Sequence, residues 1–228
     1  MLLVVREESF IKKIKQMFRK EFDVIYGYTD IGFSSYSERF KSAIVFAVPC
    51  GTQLTVKSYT EEAFYNESLS AEKRVTEILN ALERVFIEEN IEYYVPQCVQ
   101  EDEETFVSEF SLKYAAVNAG LGWIGKNDAL ITTTYGPRVR LSAVLFDQVV
   151  SYGIGTKESL CLDGCTKCVD ICPQKALTGN TWNIDVNRND LIDYHLCNEM
   201  RSKYIERHNR KNACGLCMIA CPFGMGEL

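Results

Sequence analysis

The sequence predicts an α+β protein in two parts, an α/β body over residues 1–150 and a small cysteine-organised module over residues 151–228. Three observations carry this. Helical and strand periodicities both occur in the first 150 residues, eight of the ten cysteines fall after them, and Gly153 and Gly155 punctuate the passage between the two regions.

The elements follow in order. Phe10, Ile14, Met17 and Phe18 recur at helical spacing with lysines between them, so residues 7–20 read as an amphipathic helix. The β-branched and aromatic runs Phe22–Tyr26 and Ala43–Val48 read as strands, ended by Gly27 and by Pro49-Cys50-Gly51. Val75, Ile78, Leu79, Leu82, Val85 and Phe86 mark a helix over 70–90, with Ser70 as its cap and Lys73 and Glu77 on its wet face. Ile91–Val95 is a strand ended by Pro96, and Gln100–Glu104 an acidic loop. A helix over 106–119 places Phe110, Tyr114 and Val117 on one face. Ala129–Thr133 and Val139–Phe146 are strands joined by the turn Tyr135-Gly-Pro-Arg138.

The module is built on two runs, Cys161-x3-Cys165-x2-Cys168-x3-Cys172-Pro173 and Cys214-x2-Cys217-x3-Cys221-Pro222. Short spacings that close on Cys-Pro are the bacterial-ferredoxin pattern for [4Fe–4S] clusters, in which the cysteine before the proline ligates the other cluster. Two cubanes need eight thiolates. The first run supplies four and the second three, and Cys197, the only cysteine between them, completes the count. The crossing rule then assigns Cys161, Cys165, Cys168 and Cys221 to one cluster, and Cys172, Cys197, Cys214 and Cys217 to the other. The x3 gap after Cys161 is one residue longer than usual, and Gly164 can widen that loop. Structural zinc is the rival reading, since Cys-x2-Cys pairs also suit it. Cys50 and Cys98 have no metal-ligand neighbours and read as buried structural cysteines. His195 and His208 read as surface or hydrogen-bonded histidines, the thiolate count being complete without them.

Composition narrows the function. Ten cysteines with no signal-peptide run or membrane-length apolar run point to a cytoplasmic protein with reduced thiols, hence metal rather than disulfides. The net charge is −6, and residues 1–150 carry the whole deficit, with 16 Lys and Arg against 22 Asp and Glu. Neither half is a polyanion-binding surface, which argues against RNA or DNA as partner.

Ala119-Gly-Leu-Gly-Trp-Ile-Gly-Lys-Asn127 contains a formal G-x-G-x-x-G, but a helix precedes and a strand follows, the reverse of a Rossmann motif. Two readings remain open. Gly120, Gly122, Trp123, Gly125 and Lys126 could hug a large planar or anionic cofactor, or Gly120 could cap a helix and Trp123 enter the core.

This glycine run, followed by the two cysteine runs with a lone cysteine between them, resembles the epoxyqueuosine reductase family, which is related to the corrinoid-dependent reductive dehalogenases. The likeness spans about residues 106–228. It implies a nitroreductase-like α/β domain that binds cobalamin, followed by a double-cluster ferredoxin domain. It further implies electrons passing from a ferredoxin or flavodoxin through the clusters to cobalt, which reduces the substrate.

Three departures qualify the transfer. Phe106 stands where the family has a proton-donating aspartate; Glu103, Glu104 and Glu109 are acids out of that register. Tyr114, Tyr135 and Glu109 are the other candidate donors. The chain ends seven residues after Cys221, where the tRNA-modifying members continue into a helical-repeat domain. The Cys161 spacing is the third. The expectation is a shortened corrinoid and iron–sulfur reductase of a small molecule, with tRNA and membrane disfavoured as partners. A non-enzymatic electron-transfer protein and a flavin-dependent reductase of the same architecture are the alternatives.

Overall fold

The amphipathic pattern near the N-terminus becomes helix α1 (Leu2–Glu21) of the computed structural model, which describes residues 2–96, 108–208 and 214–225. Phe10, Ile14, Met17 and Phe18 are all buried, as their spacing requires. Arg19 and Lys20 close the last turn, where the helix dipole favours cations.

The chain divides into two compact units that interleave in sequence. The first is Met1–Val48, Ala71–Leu121 and Arg140–Gly155; the second is Pro49–Ser70, Gly122–Val139 and Thr156–Leu228. Sequence patterning suggests one cut near residue 150 instead. The two inserts Pro49–Ser70 and Gly122–Val139 look locally like ordinary loop, helix and strand. They join the second unit through side chains, Tyr59 and Arg138 among them, that bond to backbone carbonyls around the second cysteine run.

The first unit is organised by a four-stranded sheet in the order β1 (Ile25–Asp30), β2 (Ser42–Pro49), β6 (Val139–Phe146), β3 (Tyr93–Tyr94). β1 and β2 run antiparallel with Ile25 opposite Ala47, and β3 and β6 antiparallel with Tyr93 opposite Phe146. Every residue from Ser42 to Val48 is buried, which marks β2 as a central strand. Phe10 of α1, Phe86 of helix α2 (Glu61–Glu88) and Phe146 of β6 meet with ring centroids 5.2 to 5.6 Å apart, the heart of the apolar core. Burying each such ring contributes about 1.5–3 kcal/mol.

Several boundaries depart from the sequence pattern. The strand expected at Phe22–Tyr26 begins at Ile25 and runs through Gly27 instead of ending there. A Cβ on Gly27 would lie 2.5 Å from the Ala119 carbonyl oxygen, so this glycine permits a close backbone approach and does not mark a turn. α2 starts nine residues before Ser70: Thr60 accepts a hydrogen bond from the Ala63 amide, and Glu61 and Glu62 occupy the first turn. Ser70 therefore lies inside the helix. The helix expected over 106–119 is α3 (Leu112–Asn118), capped by Ser111, whose hydroxyl accepts from the Tyr114 amide. Ile91–Val95 and Ala129–Thr133 shorten to two-residue strands, β3 and β5 (Leu130–Ile131). The acidic loop 100–104 lies outside the described residues.

In the second unit, β4 (Trp123–Ile124) and β5 form an antiparallel hairpin, followed by a turn in which Thr132 and Gly136 exchange backbone hydrogen bonds. Four helices follow: α4 (Lys167–Asp170), α5 (Arg188–Leu191), α6 (Tyr194–His208) and α7 (Leu216–Ile219). No helix among the described residues is long and apolar enough to cross a membrane.

Candidate metal centres

The first cysteine loop is held open at its wide end by Gly164, whose φ is +66° and around which a Cβ would meet nothing within 4 Å. The residue that lengthens the Cys161–Cys165 gap is thus accommodated by an outward, left-handed turn. The loop then closes into α4, and the Cys172 sulfur accepts a hydrogen bond from the Ala176 amide at 3.3 Å. Cys197 sits in the first turn of α6, which Asp193 caps by accepting from the Leu196 amide. The second run enters α7 through Gly215, at φ +72°.

Two cysteine groups result. Burial pushes the Cys168 thiol up to about 11, and the nearby Cys221, Cys161 and Cys165 push it further the same way. Burial likewise raises Cys217, with Cys214, Cys197, Cys168 and Cys172 as its charged neighbours. Cys161, Cys165, Cys168 and Cys221 also line one small pocket. Cys168, Cys172, Cys197 and Cys217 all pack on the apolar cluster Ala176, Leu177 and Ile192, so the two groups adjoin. None of the described cysteines forms a disulfide.

This donor set fits iron–sulfur clusters. Burial raises the thiols of Cys168, Cys214, Cys217 and Cys221, so metal bound there displaces protons. Among the described residues no three His, Cys, Asp or Glu side chains converge tightly enough to hold one metal ion.

Side chains outside the cysteine runs fix the loops. The Lys126 ammonium donates to the Cys165 carbonyl at 3.1 Å, the Asn127 amide to the Cys217 carbonyl at 3.2 Å, and the Tyr59 hydroxyl to the Cys214 carbonyl at 2.6 Å. Arg138 is fully buried and donates to the carbonyls of Phe223 (2.8 Å), Ile219 (2.6 Å) and Cys221 (3.2 Å), while its Nε–H has no acceptor among the described residues. A buried donor without an acceptor costs about 1–3 kcal/mol. Asn127, Tyr59 and Arg138 escaped the sequence reading. Asn127 adjoins the glycine run and Arg138 ends the Tyr135–Arg138 turn, but only the fold shows what they touch.

The glycine run resolves toward packing. Gly120 has φ +77°; its amide bonds to the Val117 carbonyl and the Leu121 amide to that of Ala116, the Schellman pattern that ends α3. A Cβ on Gly122 would lie 1.9 Å from the Ile131 carbonyl oxygen, and one on Gly125 2.7 Å from the Ile131 side chain. Trp123 is buried, its ring edge-on to Phe223 at 5.0 Å. The protein's own atoms lie where a Cβ would stand at Gly122 and Gly125, and Lys126 is engaged at Cys165.

The remaining sequence candidates lie elsewhere. Cys50 is buried beside the Ser68 hydroxyl. His195 is exposed. Glu109 accepts from the Ser35 hydroxyl, and hydrogen bonds with Tyr94 and Glu109, along with burial, raise the Tyr36 phenol. Tyr114 meets the Phe33 ring edge-on, and Tyr135 belongs to the turn before Arg138. Cys98, Glu103, Glu104, Phe106 and the His208 side chain lie outside the described residues.

Residues 161–224 match the 4Fe–4S double cluster binding domain family. The epoxyqueuosine reductases of Lactococcus garvieae and Listeria monocytogenes are each 32% identical over 122 residues, which cover 49% and 52% of this chain and 31% of each relative. Over that half of its length the chain is similar to the epoxyqueuosine reductases. The tetrachloroethene reductive dehalogenase of Sulfurospirillum multivorans is 28% identical over 123 residues, 50% of this chain and 23% of that protein. Among solved structures, an epoxyqueuosine reductase from Bacillus subtilis has a TM-score of 0.62 at 17% identity, covering 99% of this chain and 67% of that one. A catabolic reductive dehalogenase has a TM-score of 0.63 at 20% identity, covering 88% and 30%. The fold is therefore that of the epoxyqueuosine reductases and reductive dehalogenases. The match spans about a third of the length of the curated epoxyqueuosine reductases.

Proposed function

We propose that this chain is an iron–sulfur oxidoreductase that passes electrons through two [4Fe–4S] clusters to a corrinoid, which reduces a small molecule. The observation that carries the reading is the match of residues 161–224, which hold all eight of these cysteines, to the 4Fe–4S double cluster binding domain family. Cys161, Cys165, Cys168 and Cys221 hold one cluster; Cys172, Cys197, Cys214 and Cys217 hold the other.

The chain's own residues have definite tasks in this scheme. Tyr59, Lys126, Asn127 and Arg138 bond to carbonyls and fix the cysteine loops. Ala176, Leu177 and Ile192 keep water away from the cysteines where the groups adjoin, which lowers the reorganisation that electron exchange requires. A ferredoxin or flavodoxin in the cytoplasm is the proposed electron source. The first unit, built on the four-stranded sheet and nitroreductase-like in this reading, is the proposed cofactor and substrate domain.

Support for the corrinoid comes from the relatives: one reductive dehalogenase of the same fold is described as performing B12-dependent dehalogenation. The Gly120–Lys126 turn lends it no support, and no residue here is assigned to that group. The substrate is proposed as a small molecule because the acidic balance of the chain disfavours tRNA, although a related epoxyqueuosine reductase has been solved with a tRNA stem loop.

Anaerobically reconstituted protein titrated with cobalamin tests the reading. A shifted corrinoid spectrum saturating at micromolar concentration is the expected result. Loaded clusters with no cobalamin binding would overturn the corrinoid assignment and leave an electron-transfer protein.

A further inference from the structure

Arg138 is a cation in an unusual position. It is fully buried, its three described acceptors are neutral carbonyls, and no carboxylate pairs with it among the described residues. An uncompensated charge at such depth is costly unless an anion lies near. One of its acceptors is the carbonyl of Cys221 itself, and the other two, Ile219 and Phe223, lie within two residues of it. The guanidinium therefore lies against the loop that carries the Cys221 sulfur. A cubane on four thiolates is such an anion, and it gains one further negative charge on reduction.

A second cation stands on the same side, since the Lys126 ammonium bonds to the Cys165 carbonyl and lines the pocket of the first group. The bonds to the loops of the other group come from the neutral Tyr59 and Asn127.

We infer that Arg138 raises the reduction potential of the cluster on Cys161, Cys165, Cys168 and Cys221 above that of its neighbour, so that a single electron rests there. The step is a one-electron reduction of the cubane by an external one-electron donor, with no bond made or broken. The cation stabilises the more negative, reduced state, and burial keeps solvent from screening it. Arg138 is thus a positioning and tuning residue. This inference rests on the cluster assignment proposed above.

The test is a dithionite potentiometric titration of the full reconstituted chain, followed by electron paramagnetic resonance. Wild type should show two separate one-electron waves, the upper perturbed by Cys161→Ser and the lower by Cys197→Ser. With the iron content unchanged, Arg138→Met should lower the upper midpoint alone. The expected size is at least a tenfold fall in the reduced-to-oxidised ratio at fixed potential, about 59 mV for one electron. Arg138→Lys should recover most of that shift, which a purely structural role would not predict. Coincident wild-type waves, or an upper wave that responds to Cys197→Ser, would overturn the inference even if Arg138→Met failed to fold. An unmoved upper wave in loaded Arg138→Met would do the same. Wild type that takes up no iron would sink the cluster assignment itself, a separate and recognisable failure.

Discussion

Gly215 shows how one residue serves the second cysteine run. Its φ of +72° lies in the left-handed region, and a Cβ there would lie 2.2 Å from the buried Phe64 ring. Gly215→Ala combines backbone strain with displacement of a packed aromatic, a cost of about 1–3 kcal/mol. Because Cys214 and Cys217 flank this position, the variant should lose iron to a chelator faster than wild type while also melting earlier. Retention equal to wild type would show that the loop does not depend on this turn. The glycine was visible in the sequence between two cysteines, but its reason, the Phe64 ring, comes from a segment about 150 residues earlier. Arg138 and Tyr59 were hidden for the same cause: their partners are backbone carbonyls, which leave no mark in residue identity.

At the scale of elements, long periodic helices were the most legible. α1 and most of α2 follow from apolar spacing alone, because a packed face forces the 3.6-residue repeat. The start of α2 was not legible: Ser70 looks like a cap, while Thr60 and two glutamates supply the real one. β3 and β5 were overextended because two-residue strands are set by their partners, not by their own composition. Phe86 tests the core of the first unit, since its ring meets Phe10, Tyr93 and Phe146 and is fully buried. Phe86→Ala should destabilise by about 3–5 kcal/mol, measured by denaturant unfolding followed by far-ultraviolet circular dichroism. A cost below 1 kcal/mol would mean that α2 is not anchored by this cluster.

For the whole molecule, the cysteine arithmetic carried furthest. Four, one and three cysteines add to two cubanes, and residues 161–224, which hold all eight, match a double-cluster binding domain. The interleaving of the units was not legible, because membership of Pro49–Ser70 and Gly122–Val139 depends on distant contacts rather than on local pattern. The glycine run illustrates the same limit: its spacing allowed a ligand turn or a cap, and only the fold shows the cap on α3 and the close approach of Ile131.

The most direct test of the account is iron and acid-labile sulfide analysis of the anaerobically reconstituted chain beside Cys197→Ala. Two four-iron clusters predict about eight irons and eight sulfides per chain, falling to about four of each when the lone cysteine between the runs is removed. About four irons in both proteins, or zinc in place of iron, would contradict the two-cluster assignment.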